Sequence, residues 1–325
     1  MTHAIRVHEH GGPEVLTWEE VEIGEPGPGE VRIKQTAIGL NYIDVYVRSG
    51  FYPQSSLPFV PGMEGAGIVT SVGEGVTDLK VGSRVAYAGP IGAYAQARLI
   101  AAESVVTIPP GISDETAAAI MLKGLTAQYL LRRTYHVGPE TTLLFHAAAG
   151  GVGLIACQWA ASLGATVIGT VGSPGKASIA LAHGCAHVID YREEDLVTMV
   201  KSYTEGKGVD VVYDSIGKDT FPASLDCLKR RGLWVSFGQA SGSVPEFKIT
   251  LLSQKGSLYA TRPSLGDYTA TRKDLVESAN ELFEVVRSGK VKISVNQRYR
   301  LAEAGRAHGD LEARRTTGST VLLPD

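Results

Sequence analysis

The 325-residue chain is poor in what a cross-linked, metal-clamped or charge-driven protein needs. Its three cysteines, Cys157, Cys185 and Cys227, are too few for a disulfide framework or a four-cysteine zinc site, and none stands in a Cys-x-x-Cys pair. They read as small buried hydrophobes of a reducing compartment. His8, His10, His183, His187 and His308 show no metal-ligand grouping. Charge is nearly balanced, with 31 Lys and Arg against 34 Asp and Glu, a net −3, so no basic excess exists to displace counterions from a nucleic acid. No run of about 18 uninterrupted apolar residues is present, which excludes a membrane-spanning helix. The start, Met1-Thr-His-Ala-Ile-Arg6, lacks the apolar core of a signal peptide, and the expected location is the cytoplasm. Global disorder is excluded by the 44% apolar content. The excess is in glycine, 38 residues, many at apparent strand ends.

Residues 1 to about 120 read as β-rich. Val31–Ile38 alternates apolar and polar residues, the period of a half-buried strand, and 65–72, 83–87 and 93–100 are similar runs. Turn clusters such as Gly24-Glu-Pro-Gly-Pro-Gly29 separate them, a density that suggests a barrel-like unit. The pattern changes near Ser113, a plausible helix cap with acids behind it. Strands are then expected at 142–146, 165–170, 186–190, 209–213 and 233–237, with helical stretches between them. This alternation implies a parallel sheet covered by helices, ending near 257–260. A helix at about 273–288 and a last strand at 320–323 are placed to complete the first domain.

The sharpest motif is His146-Ala-Ala-Ala-Gly-Gly-Val-Gly153, between an apolar strand and an apolar helix. Gly150 lets the backbone approach a pyrophosphate, Gly153 lets the helix pack on the strand, and the amides of Gly151, Val152 and Gly153 face the anion. The first glycine of G-x-G-x-x-G is Ala148 here. At the next strand end, where an NAD site places a carboxylate on the ribose, the chain reads Thr170-Val-Gly-Ser-Pro-Gly-Lys176. Gly172 gives room, Ser173 a hydroxyl and Lys176 a charge for a 2′-phosphate, and Tyr191, just past the third strand, is placed to lay its hydroxyl on the same phosphate. The site reads as NADP rather than NAD. Taken alone, Lys176 would be a solvated lysine at a helix start and Tyr191 a packed surface aromatic.

Several stretches together resemble the medium-chain dehydrogenase/reductase superfamily, within it the zinc-independent NADPH:quinone oxidoreductases. They are His10-Gly-Gly-Pro-Glu-Val15, Asn41-Tyr-Ile-Asp44, Pro61-Gly-Met-Glu-Gly-Ala-Gly67, Lys123-Gly-Leu-Thr-Ala-Gln-Tyr129, the 147–153 turn, Asp190-Tyr-Arg-Glu-Glu-Asp195 and Arg314-Arg-Thr-Thr-Gly318. The resemblance implies an α/β fold: a GroES-like β-barrel catalytic domain (1–122 and 266–325) around a Rossmann doubly wound parallel-sheet NADPH domain (123–265). It also implies a homodimer. In the zinc alcohol dehydrogenases Cys, His and Cys occupy the places of Asn41, Met63 and Lys123, so three zinc ligands are missing and a lone Glu64 makes no site.

Without a Lewis acid, a simple ketone is a poor hydride acceptor. A quinone needs less help, because its product anion is delocalised and positioning supplies most of the gain. The resemblance sets Asn41 beside the nicotinamide, where its amide is able to donate to a substrate carbonyl, and Tyr46 and Tyr52 nearby, able to stack or donate. The alternative for Tyr42, Tyr46, Phe51 and Tyr52 is hydrophobic packing. No general acid emerges, which leaves water as the proton source. The resemblance extends the cofactor site to Thr126, Tyr129, Ser215, Ile216, Phe237, Gly238, Ser241, Arg262 and Arg314. In the plainer reading Gly238 is turn chemistry and Arg314 pairs with Glu312 or Asp310. His146 reads as a core histidine rather than a catalyst. The leading expectation is an NADPH-dependent quinone reductase. An enone or alkenal double-bond reductase is the alternative within enzymes. A non-enzymatic NADPH- or RNA-binding protein, as some crystallin-like relatives are, is the alternative outside them.

Overall fold

The structure is a computed structural model that describes residues 2–324. The chain forms two compact units. One comprises the residues up to Leu125, Thr269–Arg287 and those from Ile293 onward; the other comprises Thr126–Tyr268 and Ser288–Lys292.

The first unit begins with an antiparallel pair, β1 (Thr2–Val7) and β2 (Leu16–Val21). Then come β3 (Glu30–Leu40), the short helix α1 (Tyr42–Arg48), β4 (Glu64–Val72), β5 (Arg84–Ala88), β6 (Ala97–Ala101), β7 (Val106–Thr107) and helix α2 (Asp114–Tyr129). Strand β3 is the spine. β4 lies along one edge; along the other, β6 pairs with residues 30–34 and the C-terminal strand pairs with 38–40. Its first half alternates as a two-sided strand should, with Val31, Ile33 and Gln35 inward. Gln35 is tolerated there because the Tyr87 hydroxyl donates to its Oε1 while its amide donates to the Ala93 carbonyl. The 93–100 run is not one strand. Its first half bonds to β1, through Ile5 N–H to Tyr94 O, and meets β3 through Gln35 N–H to Gln96 O; only from Ala97 onward does it pair with β3 in regular register. Ser113 caps α2 as expected, its hydroxyl accepting from Thr116 N–H. Ile5, Val31, Ile33, Val69, Val85, Tyr87 and Leu322 are among the core residues of this unit.

In the second unit strands and helices alternate: β8 (Thr142–Phe145), α3 (Gly151–Ser162), β9 (Thr166–Val171), α4 (Pro174–Ala182), β10 (His187–Asp190), α5 (Leu196–Tyr203), β11 (Val209–Asp214), α6 (Ala223–Asp226), β12 (Leu228–Ser236), α7 (Thr250–Gln254), β13 (Tyr259–Thr261) and α8 (Leu265–Tyr268). All six strands are parallel, in the order β10-β9-β8-β11-β12-β13. In chain order this is 3-2-1-4-5-6, the doubly wound Rossmann arrangement, with the switch of direction between β8 and β11. The chain then returns to the first unit as α9 (Arg272–Arg287), β14 (Val295–Arg300), α10 (Ala304–Glu312) and β15 (Ser319–Leu323). Strand β15 joins β3, so the C-terminal tail completes the first unit's seven-stranded sheet.

Candidate functional site

At the switch point, β8 ends at Phe145 and α3 starts at Gly151, with Gly150 as its extended cap. The first helical bond runs from Leu154 N–H to Gly150 O, so the amides of Gly151, Val152 and Gly153 lie ahead of it, as an anion site requires. A Cβ on Gly153 would collide with the carbonyl oxygens of Ala147 and Ala148, the latter at 2.6 Å. Only glycine lets the helix sit this close. Ala148 takes the first-glycine place because β9 answers it with Gly169, whose own Cβ would stand 2.7 Å from that of Ala148.

His146 ties this turn to two others. Ser224 donates to Asp214 Oδ2 (2.9 Å), so its oxygen accepts from His146 Nε2–H (3.0 Å); Nδ1 then accepts from the Thr170 hydroxyl (3.0 Å). Burial lowers the His146 pKa, which keeps the ring neutral. Burial alone would raise Asp214, but the His146 ring beside it, the amides of Gly217 and Ile216 and the Thr220 hydroxyl together hold its pKa below the usual value.

The C-terminal ends of the neighbouring strands carry the other expected cofactor residues. Val171 pairs with Asp190, which sets Gly172 and Ser173 beside Tyr191. A Cβ on Gly172 would come within 2.5 Å of the Tyr191 hydroxyl, so that hydroxyl stands directly over the glycine. Ser173 caps α4 and Lys176 is its third residue. Past β11 and β12, Ser241 N–H and its hydroxyl both donate to Ile216 O (2.9 Å each), and Gly238 lies against Ser215. Phe237 N–H donates to Asp214 O, and Arg262, after β13, donates to Ser236 O (2.8 Å). Tyr129 stacks on Tyr268 with ring centroids 4.6 Å apart, and burial pushes its hydroxyl pKa up. Thr126 lies one turn before it on α2. Thr126, Tyr129, Gly150, Gly151, Val152, Gly153, Gly172, Ser173, Lys176, Tyr191, Ser215, Ile216, Phe237, Gly238, Ser241 and Arg262 thus share one unit. Asn41, Tyr46, Tyr52 and Arg314 belong to the other. Arg314 is exposed at the end of α10; Asp310 pairs with Arg315 and Glu312 with Arg48, so neither takes the pairing with Arg314 that the plainer reading offered.

In the first unit Asn41 caps α1, its backbone N–H donating to Asp44 Oδ2 (2.9 Å). Its side-chain amide donates inward, to Glu64 Oε2 (2.7 Å). The same oxygen accepts from Lys123 Nζ (3.1 Å), and Glu64 Oε1 accepts from Leu122 N–H (2.7 Å). Tyr46 and Tyr52 meet edge to face at 5.3 Å, with Tyr42 and Phe51 packed on Tyr46. Behind Asn41 runs a buried chain that sequence reasoning missed. Arg48 forms a two-pronged pair with Glu312 and donates to His308 Nδ1 (3.2 Å), so His308 Nε2–H donates to the Tyr94 oxygen (3.0 Å) and the Tyr94 hydroxyl donates to Asp44 Oδ2 (3.1 Å). Its members are up to 268 positions apart, from Asp44 to Glu312, and no local pattern signals it. Lys123 was noted only for the cysteine it replaces.

This donor set does not fit zinc. Lys123 is a cation, and the carboxylate it meets, Glu64, is already spent on three N–H groups.

Two family models match the chain: an alcohol dehydrogenase GroES-like domain over residues 27–137 and a zinc-binding dehydrogenase over residues 151–280. Among curated proteins the chain is 56% identical to quinone oxidoreductase of Pseudomonas aeruginosa and 54% identical to quinone oxidoreductase 1 of Escherichia coli, each pair matching over 100% of both chains. It is 47% identical to 2-haloacrylate reductase of a Burkholderia species, over 100% of this chain and 99% of the relative. Among solved structures, Escherichia coli quinone oxidoreductase complexed with NADPH superposes with a TM-score of 0.97 at 54% identity, over 99% of this chain and 100% of that one.

Proposed function

The chain belongs to the quinone oxidoreductase group of the medium-chain dehydrogenase/reductase superfamily, and from that premise we infer that it is an oxidoreductase reducing quinones with NADPH and without zinc. The observation that carries the cofactor half is the end of β9. The Tyr191 hydroxyl stands over Gly172, Ser173 and Lys176 follow, and no carboxylate lies between Thr170 and Lys176 to repel a 2′-phosphate. NADPH, when bound, supplies the hydride. The Gly151–Gly153 amides take its pyrophosphate, and the loops after β11, β12 and β13 border the rest. Residues 123–265 are in this reading the NADPH domain, and 1–122 with 266–325 the catalytic domain. Asn41, Tyr46 and Tyr52 border the quinone, and Arg314 reaches the cofactor from the C-terminal tail.

A second reading, reduction of an activated carbon–carbon double bond, has one observation in its favour: the 47% full-length identity to a 2-haloacrylate reductase. One assay separates the two. NADPH and NADH consumption is followed by absorbance with a small quinone and with a small enone. Fast NADPH oxidation with the quinone and little with NADH is expected. Activity with the enone alone would replace quinone reduction by double-bond reduction, and activity with neither would overturn both.

The active form we infer is a homodimer. Strand β13 closes one end of the parallel sheet, with Tyr259 62% exposed, and Ile249 is 74% exposed in the same unit. No helix among the described residues is long and apolar enough to cross a membrane. Three buried thiols, Cys157, Cys185 and Cys227, fit the cytoplasm as its place.

A further inference from the structure

Lys123 is a buried ammonium with too few acceptors. Its side chain is 8% exposed. An ammonium has three N–H donors. Among the described residues one acceptor meets them, Glu64 Oε2 at 3.1 Å. Glu64 has little left to offer. Oε2 already accepts from Asn41 at 2.7 Å, and Oε1 accepts from Leu122 N–H. Asp44, the other carboxylate nearby, accepts from Asn41 N–H and Tyr94 instead. A buried donor left without an acceptor costs free energy, more so when it is charged. An oxygen that arrives beside Lys123 therefore meets a cation already desolvated and held in place.

Asn41 is more nearly satisfied and carries no charge. Its amide donates to Glu64, and the other oxygen near it is the Gly39 carbonyl, at 3.5 Å. Asn41 and Lys123 lean on the same carboxylate oxygen, so Asn41 and Glu64 fix the ammonium in place.

We propose that Lys123 is a catalytic residue: its ammonium binds the substrate oxygen on which negative charge gathers during reduction. The inference rests on the quinone-reductase reading and assigns its charge-stabilising group. A hydride brings two electrons and one proton to the quinone, which becomes the hydroquinone monoanion as NADPH becomes NADP+. The second proton comes from water. Lys123 gives up no proton; its fixed charge lowers the energy of the anion as it forms. The same arrangement suits acceptors whose product anion is less delocalised than a hydroquinone's, and they depend on it most.

The test compares the wild type with Lys123→Met and with Lys123→Met/Glu64→Gln. The double variant guards against misfolding, because the single one strands a buried carboxylate. NADPH affinity, by fluorescence titration, is expected to stay within about twofold. The kcat of the double variant should fall by about a hundredfold, the scale for losing one oxyanion donor. The fall should grow along a series of quinones of decreasing electron affinity, a trend that a merely structural lysine would not produce. A second arm needs no turnover. 4-Nitrophenol, whose phenolate absorbs at longer wavelength than its phenol, is titrated with pH in the presence of enzyme and NADP+. Bound probe should ionise at lower pH than free probe in the wild type, and as free probe does in the double variant. Unchanged kcat across the series, or identical ionisation with both proteins, overturns the proposal. If the wild type reduces no quinone, the quinone reading fails instead, and the nitrophenol arm still decides the role of Lys123.

Discussion

Lys176 is the third residue of α4, and its backbone N–H donates to Ser173 O at 3.0 Å, so one turn of helix carries both the hydroxyl and the cation expected at a 2′-phosphate. A charge-assisted hydrogen bond is worth about 1.5–3 kcal/mol, which is roughly ten- to a hundredfold in affinity. Lys176→Ala should therefore weaken NADPH by that factor and leave NADH within about twofold, measured by fluorescence titration. The gap should narrow at high salt, because the contact is near the surface and screened. Equal losses for the two cofactors would remove Lys176 from the phosphate site. Glu64 shows the other kind of residue, one whose work is invisible until the chain folds. It takes N–H groups from Asn41, Leu122 and Lys123, two of them on α2 and one at the head of α1, and so holds both helices to the start of β4.

Among the elements, β13 is an exposed edge strand. It pairs with β12 through Leu233–Tyr259, Trp234–Ala260 and Val235–Thr261, and among the described residues no strand lies on its other side. An apolar edge of this kind invites a second copy. Tyr259→Lys puts a charge on that edge and should shift the dimer toward monomer by at least about tenfold in dissociation constant, read by sedimentation velocity at micromolar protein. A wild type that sediments as a monomer throughout would end the dimer reading. Most of the parallel strands were legible in the sequence as short apolar runs, β9 closed by Gly172 and β10 and β11 by Asp190 and Asp214, and the 146–153 turn because its chemistry is local. The 93–100 run misled because alternation does not say which strand a segment pairs with: Tyr94 belongs to β1's partners and Ala97 to β3's. The resemblance singled out Asn41, but nothing local signalled that it would cap α1. That its amide turns inward depends on Glu64, 23 positions on, and on Lys123, 59 positions beyond Glu64. Such meetings are set by the sheet's register and leave no trace in periodicity.

Stability against pH belongs to the whole folded chain, and two buried groups of one hydrogen-bonded chain pull it in opposite directions. Burial pushes Asp44 up to about 7 against the hydrogen bonds from Asn41 and Tyr94. Oδ2 accepts both of those bonds, and among the described residues Oδ1 has no partner, so Oδ1 is the oxygen open to a proton. Burial, with Arg48 alongside, pushes His308 down to about 3. Unfolded, the two titrate near their ordinary values, about 3.9 and 6.5. A carboxyl raised on folding contributes stability in acid that is lost as pH rises through about 7; a histidine lowered on folding contributes stability above about 6.5 that is lost as pH falls toward 3. Between about pH 4 and 6.5 the folded chain therefore keeps one proton on Asp44 and none on His308, while the unfolded chain keeps one on His308 and none on Asp44. The proton changes holder, the count does not, and the pair contributes no slope. Asp44→Asn mimics the protonated carboxyl and breaks this balance. Relative to the wild type it should lose stability from pH 6.5 down to 4, by up to about 1.4 kcal/mol per pH unit. His308→Gln should do the reverse and gain on the wild type as pH falls over the same range. The lowered carboxylates of Glu19, Asp195 and Asp310 add the same acid lability to all three proteins, so the differences between them isolate the pair. Urea unfolding at pH 4.5, 5.5, 6.5 and 7.5, chosen to span about this window, reads the result. An Asp44→Asn profile parallel to that of the wild type would mean that Asp44 already carries its charge in the folded protein, held by the hydrogen bonds from Asn41 and Tyr94.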